Sequence, residues 1–240
     1  MDSTLVSPET YITTTFATLL QPFDASPASV QKWSNLLLTT YSERHRHYHT
    51  LTHIHSMLQH FSSYLPQITN PTAVGLAIFF HDWEYLTHSP PAWSEEQSIV
   101  HFNVFAEELH LPSPLVETVR KYITATISHK LPPEDEDDGD LKLFLDFDLE
   151  VLGRDRKEYV LYSKQIRKEY NQFDDQLFGW GRKAVLEKFL GRERLFLSDV
   201  FFERCEERAR DNLKWEIGGL KCGGDWGIMG KLRGDGGVEK

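Results

Sequence analysis

The run "AVGLAIFF", residues 73 to 80, is apolar on every side and leads straight into His81 and Asp82. No other stretch restricts the fold as much. A helix that is apolar all round has no face to offer water, so other elements must surround it. Asn70 as a cap and Pro71 in the first turn mark where it starts. The surrounding elements read as helices too. "PETYITTTFATLL" and "SVQKWSNLLLTTYSE" carry apolar residues at three- and four-residue steps. Ser94 with Gln97, and Asp155 with Glu158, have capping-box spacing, and two late helices are expected near 177–190 and 198–217. Strand-like alternation is absent. The expected fold is all-α, with one domain over 1–217. The acidic stretch "PPEDEDDGD", 132 to 140, reads as a solvated loop. The glycine-rich tail, 218–240, is expected to be mostly disordered, with Trp226 and Met229 as its candidates for docking.

Composition removes several classes of function. The chain has 240 residues and a net charge of −10, from 26 Lys and Arg against 36 Asp and Glu. That balance argues against a nucleic-acid polymer or an anionic membrane as partner, since both need a basic surface. Cys205 and Cys222 are the only cysteines. No disulfide framework can be read from two, and a reducing compartment, cytoplasm or nucleus, is expected rather than secretion. The N-terminus has no basic start and no continuous apolar core of a signal peptide. No apolar run approaches the roughly 20 residues that span a bilayer.

The stretch "RHRHYHTLTHIH", residues 44 to 55, puts five histidines into twelve residues. The spacing predicts a helix over 48–64, with Leu51, Ile54, Leu58, Phe61 and Leu65 as its core-facing stripe. At about 100° per residue, His49, His53 and His60 share one flank and His55 takes the other. His45 and His47 precede the helix. A histidine pair on a helix face is more often a polar surface than a ligand set, and a metal needs further ligands. His81 and Asp82 supply candidates. Burying both at the end of the most apolar helix is costly without a partner, and a bound cation is such a partner.

Together these residues resemble the HD superfamily of metal-dependent phosphohydrolases, whose pattern is H…HD…D. His53 matches the first histidine, and His81-Asp82 the pair. Asp148, followed by Leu149, matches the last aspartate, with Asp146 as its rival. The likeness is closer to one branch of predicted phosphohydrolases. That branch carries R-x-Y-H-x-x-x-H (here Arg46, Tyr48, His49, His53), T-x-x-H (Thr126, His129), I-R-x-E-Y (Ile166 to Tyr170) and A-R-x-N-L (Ala209 to Leu213). The resemblance runs from about residue 30 to 216. The chain departs from the branch at Ser94, where Asn is usual, and at Trp83, where a small apolar residue is.

The resemblance implies a helical HD-domain bundle. It implies a divalent metal held by His53, His81, Asp82 and Asp148 (or Asp146). Two imidazoles and two carboxylates suit Mn, Co, Ni, Fe or Zn, and Mg less well. It also implies hydrolysis of a small phosphorylated substrate, a nucleotide first among them, by a metal-activated water. Arg46 and His49 are the candidates for binding that substrate, and His129 for holding a phosphate or leaving-group oxygen. Glu95 or Glu96 is the candidate general base, although acidic residues also stabilise helix N-termini without any catalytic part. Arg167, Arg182 and Arg210 are expected in structural ion pairs. Two other readings compete. One is a di-iron oxygenase of the same superfamily, with His101 and His129 as extra ligands. The other is a non-catalytic domain that binds a nucleotide.

Overall fold

The structure, a computed structural model, describes residues 7–221. Among the described residues there are ten α-helices and no strand. The helices are α1 (Pro8–Leu20), α2 (Pro27–Thr40), α3 (Leu51–Tyr64), α4 (Pro71–Phe80), α5 (Trp93–Glu108), α6 (Ser113–Thr126), α7 (Gly139–Leu149), α8 (Arg156–Glu169), α9 (Asp175–Leu190) and α10 (Asp199–Lys221). None of the described helices is long and apolar enough to cross a membrane. The described residues group into two compact units. One runs from residue 7 to Leu149 and adds the segment Phe196–Asp199; the other holds Glu150–Leu195 and the described residues from Val200 on.

In the first unit α4 is the centre. Every residue from Ala73 to Phe80 is buried, as the all-round apolar run requires, and α1, α3, α5, α6 and α7 pack against it. Its start follows the sequence signals. The Asn70 side chain accepts from the Ala73 N–H at 3.0 Å, and Pro71 occupies the first turn. Asp140 adds a second hold on this end, accepting from the N–H groups of Thr69 and Asn70 at 2.8 and 2.7 Å. Gly75 lets α1 come close: a Cβ there would collide with the Leu19 side chain. Beside α4 lies an aromatic core. Phe80 stacks on Trp83 at 4.8 Å between ring centres, and Phe105 meets Trp33 edge-on at 5.1 Å.

The acidic stretch is more than a solvated loop. Glu134, Glu136 and Asp137 are exposed, but Asp140 is buried. Asp138 accepts from Lys121 (2.8 Å), Tyr122 (3.0 Å) and the Leu141 N–H (2.9 Å). The acids alternate between water and fixed donors, which composition alone does not reveal.

In the second unit, Asp155 caps α8, accepting from the N–H groups of Lys157 and Glu158 at 2.9 and 3.0 Å. Gly153 is needed where the chain meets α10: a Cβ there would lie 2.5 Å from the Cys205 Cβ and 2.9 Å from its carbonyl oxygen. The three arginines take structural roles, as expected. Arg182 pairs with buried Glu216 at 2.9 Å, Arg167 with Asp175 at 2.7 Å and Arg210 with Glu206 at 2.7 Å. Helix α10 continues to Lys221, past the expected start of the tail at 218. Gly218 and Gly219 weaken a helix by about 1 kcal/mol each, yet Leu220 reaches α9, within 3.8 Å of where a Gly179 Cβ would stand. The rest of the expected tail, with Trp226 and Met229, lies outside the described residues.

Candidate metal centre

Helix α3 begins three residues later than the spacing predicts, at Leu51, capped by the Thr50 hydroxyl. The delay has a local cause. The His49 carbonyl, which a longer helix would use, accepts instead from the Arg46 guanidinium at 3.4 Å. His49 therefore stands in an irregular segment. His53 lies in the first turn of α3 and is buried, next to the stripe of Ile54, Met57, Leu58 and Phe61. Leu65, the last residue of the predicted stripe, is exposed, because the helix ends at Tyr64 and a short 3₁₀ turn follows.

His81 and Asp82 follow the last residue of α4. The His81 Nδ1 donates to the Ile78 carbonyl at 3.0 Å, which turns its Nε2 toward Asp82 and His53. That Nε2 lies 3.0 Å from Asp82 Oδ2 and 3.3 Å from His53 Nε2. His53 Nε2 is in turn 3.8 Å from the same Asp82 oxygen. Ligand atoms of His53, His81 and Asp82 all lie within 4.8 Å of one another. From α7, Asp148 Oδ1 reaches to 3.2 Å from His53 Nε2 and 3.7 Å from His81 Nε2. Two imidazole nitrogens aimed at each other at such a distance need a shared proton or a shared cation. The donor set fits a cation: His53, His81 and Asp82 could hold a metal ion, with a second carboxylate adjoining.

Electrostatics pull the members apart. Burial pushes the His53 pKa down, and the Asp148 hydrogen bond only partly offsets this. Burial acts on His81 in the same sense, but the Asp82 and Asp148 carboxylates outweigh it and lift His81 to about 9. Burial works to raise both aspartates. His81 and His49 hold Asp82 below the usual carboxylate range all the same, and hydrogen bonds from His129 and His53 do so for Asp148.

Exposure shows which side is open. The side chains of His53 and His81 are 2% and 1% exposed, whereas those of His49, Asp82, His129 and Asp148 are 17%, 19%, 18% and 13% exposed. The cluster thus has a dry floor and a wetter rim. His129 follows α6 at φ 48°, left-handed backbone that a non-glycine residue adopts at a cost of about 1–3 kcal/mol. In that conformation its Nε2 meets Asp148 Oδ2 at 2.7 Å. His49 Nε2 is 3.9 Å from Asp82 Oδ2, and its ring lies over Tyr85 at 4.1 Å. Glu95, in the first turn of α5, is half-buried; burial raises its pKa, with help from the Asp82 charge, against a backbone hydrogen bond and weaker pulls from His129 and His81. Glu96 is exposed.

The remaining predicted residues lie in other surroundings. Asp146, the rival to Asp148, is fully buried and accepts from the N–H groups of Leu197 and Ser198 at 2.7 Å each and from the Ser198 hydroxyl at 2.5 Å. Arg46 is buried, with its donors on the His49, Asp82 and Trp83 carbonyls and on the Glu43 carboxylate. His60 stacks on Phe147 and His55 packs edge-on against Tyr11. His45 bonds the Tyr85 carbonyl at 2.9 Å. His101 stands 3.7 Å from Glu84. Ser94 lies inside α5, whose cap position is Ala92 at φ 66° without a side-chain bond; its hydroxyl accepts from the Leu86 N–H at 3.2 Å instead. Sequence reasoning missed Tyr85. Its position, three residues after Asp82, was the one available signal.

Fold and cluster define a class: an all-helical protein with a buried His53, His81 and Asp82 group able to hold a metal ion. No family model, no curated protein and no solved structure matches the chain.

Proposed function

We propose that the chain is a metal-dependent phosphohydrolase of HD type, acting on a small phosphorylated substrate, with nucleotides the first class to test. One observation carries the reading. His53 Nε2 and His81 Nε2 face each other at 3.3 Å beside the Asp82 carboxylate, under a rim of histidines and carboxylates that water can reach. The H…HD…D order of the same residues supports it.

In this reading His53, His81, Asp82 and Asp148 hold a divalent ion such as Mn, Co, Ni, Fe or Zn. When bound, the ion supplies Lewis acidity toward a phosphoryl oxygen and makes water a stronger acid. The chain's own residues supply position and proton transfer. Glu95 accepts a proton from the attacking water, since burial raises its pKa and so its strength as a base. His49, on the rim beside Asp82, offers a donor to phosphoryl oxygens. His129, held by Asp148, is the candidate to hold a phosphate or leaving-group oxygen. The buried floor keeps competing water away from the histidines.

Elemental analysis of the purified protein, with a phosphate-release screen over nucleotides and small phosphate esters, tests the reading. The expected result is about one first-row metal per chain and metal-dependent phosphate release. Two irons per chain with no phosphate released would overturn it in favour of oxygen chemistry.

A further inference from the structure

Arg46 donates almost wholly to backbone, and the carbonyls it chooses belong to the candidate site. Its Nη1 donates to the Asp82 carbonyl at 2.7 Å and to the His49 carbonyl at 3.4 Å. Its Nη2 donates to the Trp83 carbonyl at 2.7 Å. Its Nε donates to the Glu43 carboxylate at 3.0 Å, and the side chain has no exposed surface. The guanidinium carbon lies 5.1 Å from the Tyr41 ring and 5.7 Å from the Tyr85 ring. Tyr85 packs against the His49 ring, tilted by 31°, and the Tyr41 hydroxyl donates to the Phe79 carbonyl at 3.0 Å.

The carbonyls beyond the end of a helix have no partners of their own in it, and the end carries partial negative charge that favours a cation. Arg46 and Tyr41 meet both needs where α4 stops. His81 keeps helical backbone at φ −61° and ψ −38°, and the Trp83 N–H donates to the Phe80 carbonyl at 3.2 Å; at this helix end the His81 Nε2 and the Asp82 Oδ2 lie 3.0 Å apart. A planar fork holds several carbonyls in one set geometry, whereas a lysine ammonium is a point charge with rotatable donors on a flexible stem.

We propose that Arg46 is a positioning residue. Its guanidinium ties the backbone of Asp82, Trp83 and His49 into one rigid turn and so sets the Asp82 carboxylate and the His49 ring at the metal centre. Arg46 does not contact phosphate. This inference rests on the metal-site reading above.

The test uses the full chain with Co²⁺ as the probe. In Arg46→Lys, Co²⁺ binding should weaken about 10- to 100-fold, the range for residues that orient metal ligands. The visible absorption spectrum of bound Co²⁺ should change while the far-ultraviolet circular dichroism does not. At saturating Co²⁺, kcat should fall with KM unchanged for any phosphate ester the protein cleaves. Wild-type Co²⁺ affinity and spectrum in Arg46→Lys would overturn the proposal and leave the metal-site reading standing. A raised KM with intact metal affinity would also overturn it, making Arg46 a phosphate contact. Failure of the wild-type chain to bind Co²⁺ would overturn both. If Arg46→Lys does not fold, Glu43→Ala decides, because it removes the acceptor that orients Nε, an oxygen that otherwise stands only 3.7 Å from exposed His45: Co²⁺ affinity about threefold weaker supports the proposal, by the same logic one bond further out, and unchanged affinity overturns it.

Discussion

Two buried charge clusters, one in each unit, are built differently. In the second unit Glu216 is fully buried and accepts from Arg182 at 2.9 and 3.3 Å and from the Tyr159 hydroxyl at 2.5 Å. One carboxylate meets one guanidinium and a phenol, and the charges cancel. In the first unit two carboxylates meet two imidazoles whose nitrogens face each other. There the pKa values diverge, with His81 lifted to about 9 and His53 lowered. Buried charge that is matched and bonded behaves as structure. Buried charge arranged around a point, with an exposed rim, is the pattern expected of a site. The distinction lies in whether the group's needs are met within the cluster, and burial alone does not make it.

Removing Asp82 should separate the two most sharply. Asp82→Ala deletes the carboxylate that both histidines approach, so metal occupancy and phosphate release should both fall to background. The wild-type protein should lose thermal stability on chelation, because an ion that binds only the folded state stabilises it by about 2.7 kcal/mol at a hundredfold excess over its dissociation constant. Asp82→Ala should show no such response to a chelator. Metal retained in the variant would refute the ligand role.

A base can be told from a ligand at Glu95. Glu95→Gln should keep the metal and reduce single-turnover rates by about 10²- to 10⁴-fold, the span of general acid–base effects. Glu96→Gln should stay near wild type, since Glu96 is exposed. Normal turnover in both variants would take the glutamates out of the mechanism.

Glu216→Ala breaks the matched cluster. It should lower folding stability by about 3–5 kcal/mol, because Arg182 is left buried without its counter-charge, while metal per folded chain stays at the wild-type value. Denaturant unfolding and elemental analysis read the two quantities. Loss of metal in correctly folded Glu216→Ala would erase the contrast between the clusters.

Much of this was legible from residue order. The apolar run at Ala73–Phe80, its Asn70 cap and the His81-Asp82 pair at its end follow from local pattern, which is why helix existence and the core of the cluster could be read. Tertiary needs decided the rest. The start of α3 moved because Arg46 takes the His49 carbonyl. The choice between Asp146 and Asp148, two residues apart, depended on which one meets the N–H groups of Leu197 and Ser198, some fifty residues away in sequence. Glu95 and Glu96 look alike in sequence and differ by exposure. The Ser94 capping box failed because its hydroxyl answers the Leu86 N–H, a donor outside the helix. The specific fold family stays with the resemblance.

A third group of charges, half-exposed, gauges how little such contacts contribute at a surface. Asp138 accepts from Lys121, Tyr122 and the Leu141 N–H. Burial would lift its carboxyl, but these bonds outweigh it and hold the pKa below the usual value. A carboxyl with a lowered folded-state pKa stabilises the protein above its unfolded pKa, near 4, and that contribution disappears as pH falls through the folded value. Asp138→Asn keeps the shape and loses the charge, so it should lower stability by about 1 kcal/mol at pH 7, as expected for a partly solvated ion pair. The gap between wild type and variant should hold steady down to about pH 5 and close below about pH 4. Urea unfolding at a series of pH values measures it. A gap that persists undiminished at pH 2 would mean that shape rather than charge makes the contribution. The acidic stretch would then belong with the matched cluster as packing, and ionic strength should leave the gap unchanged as well.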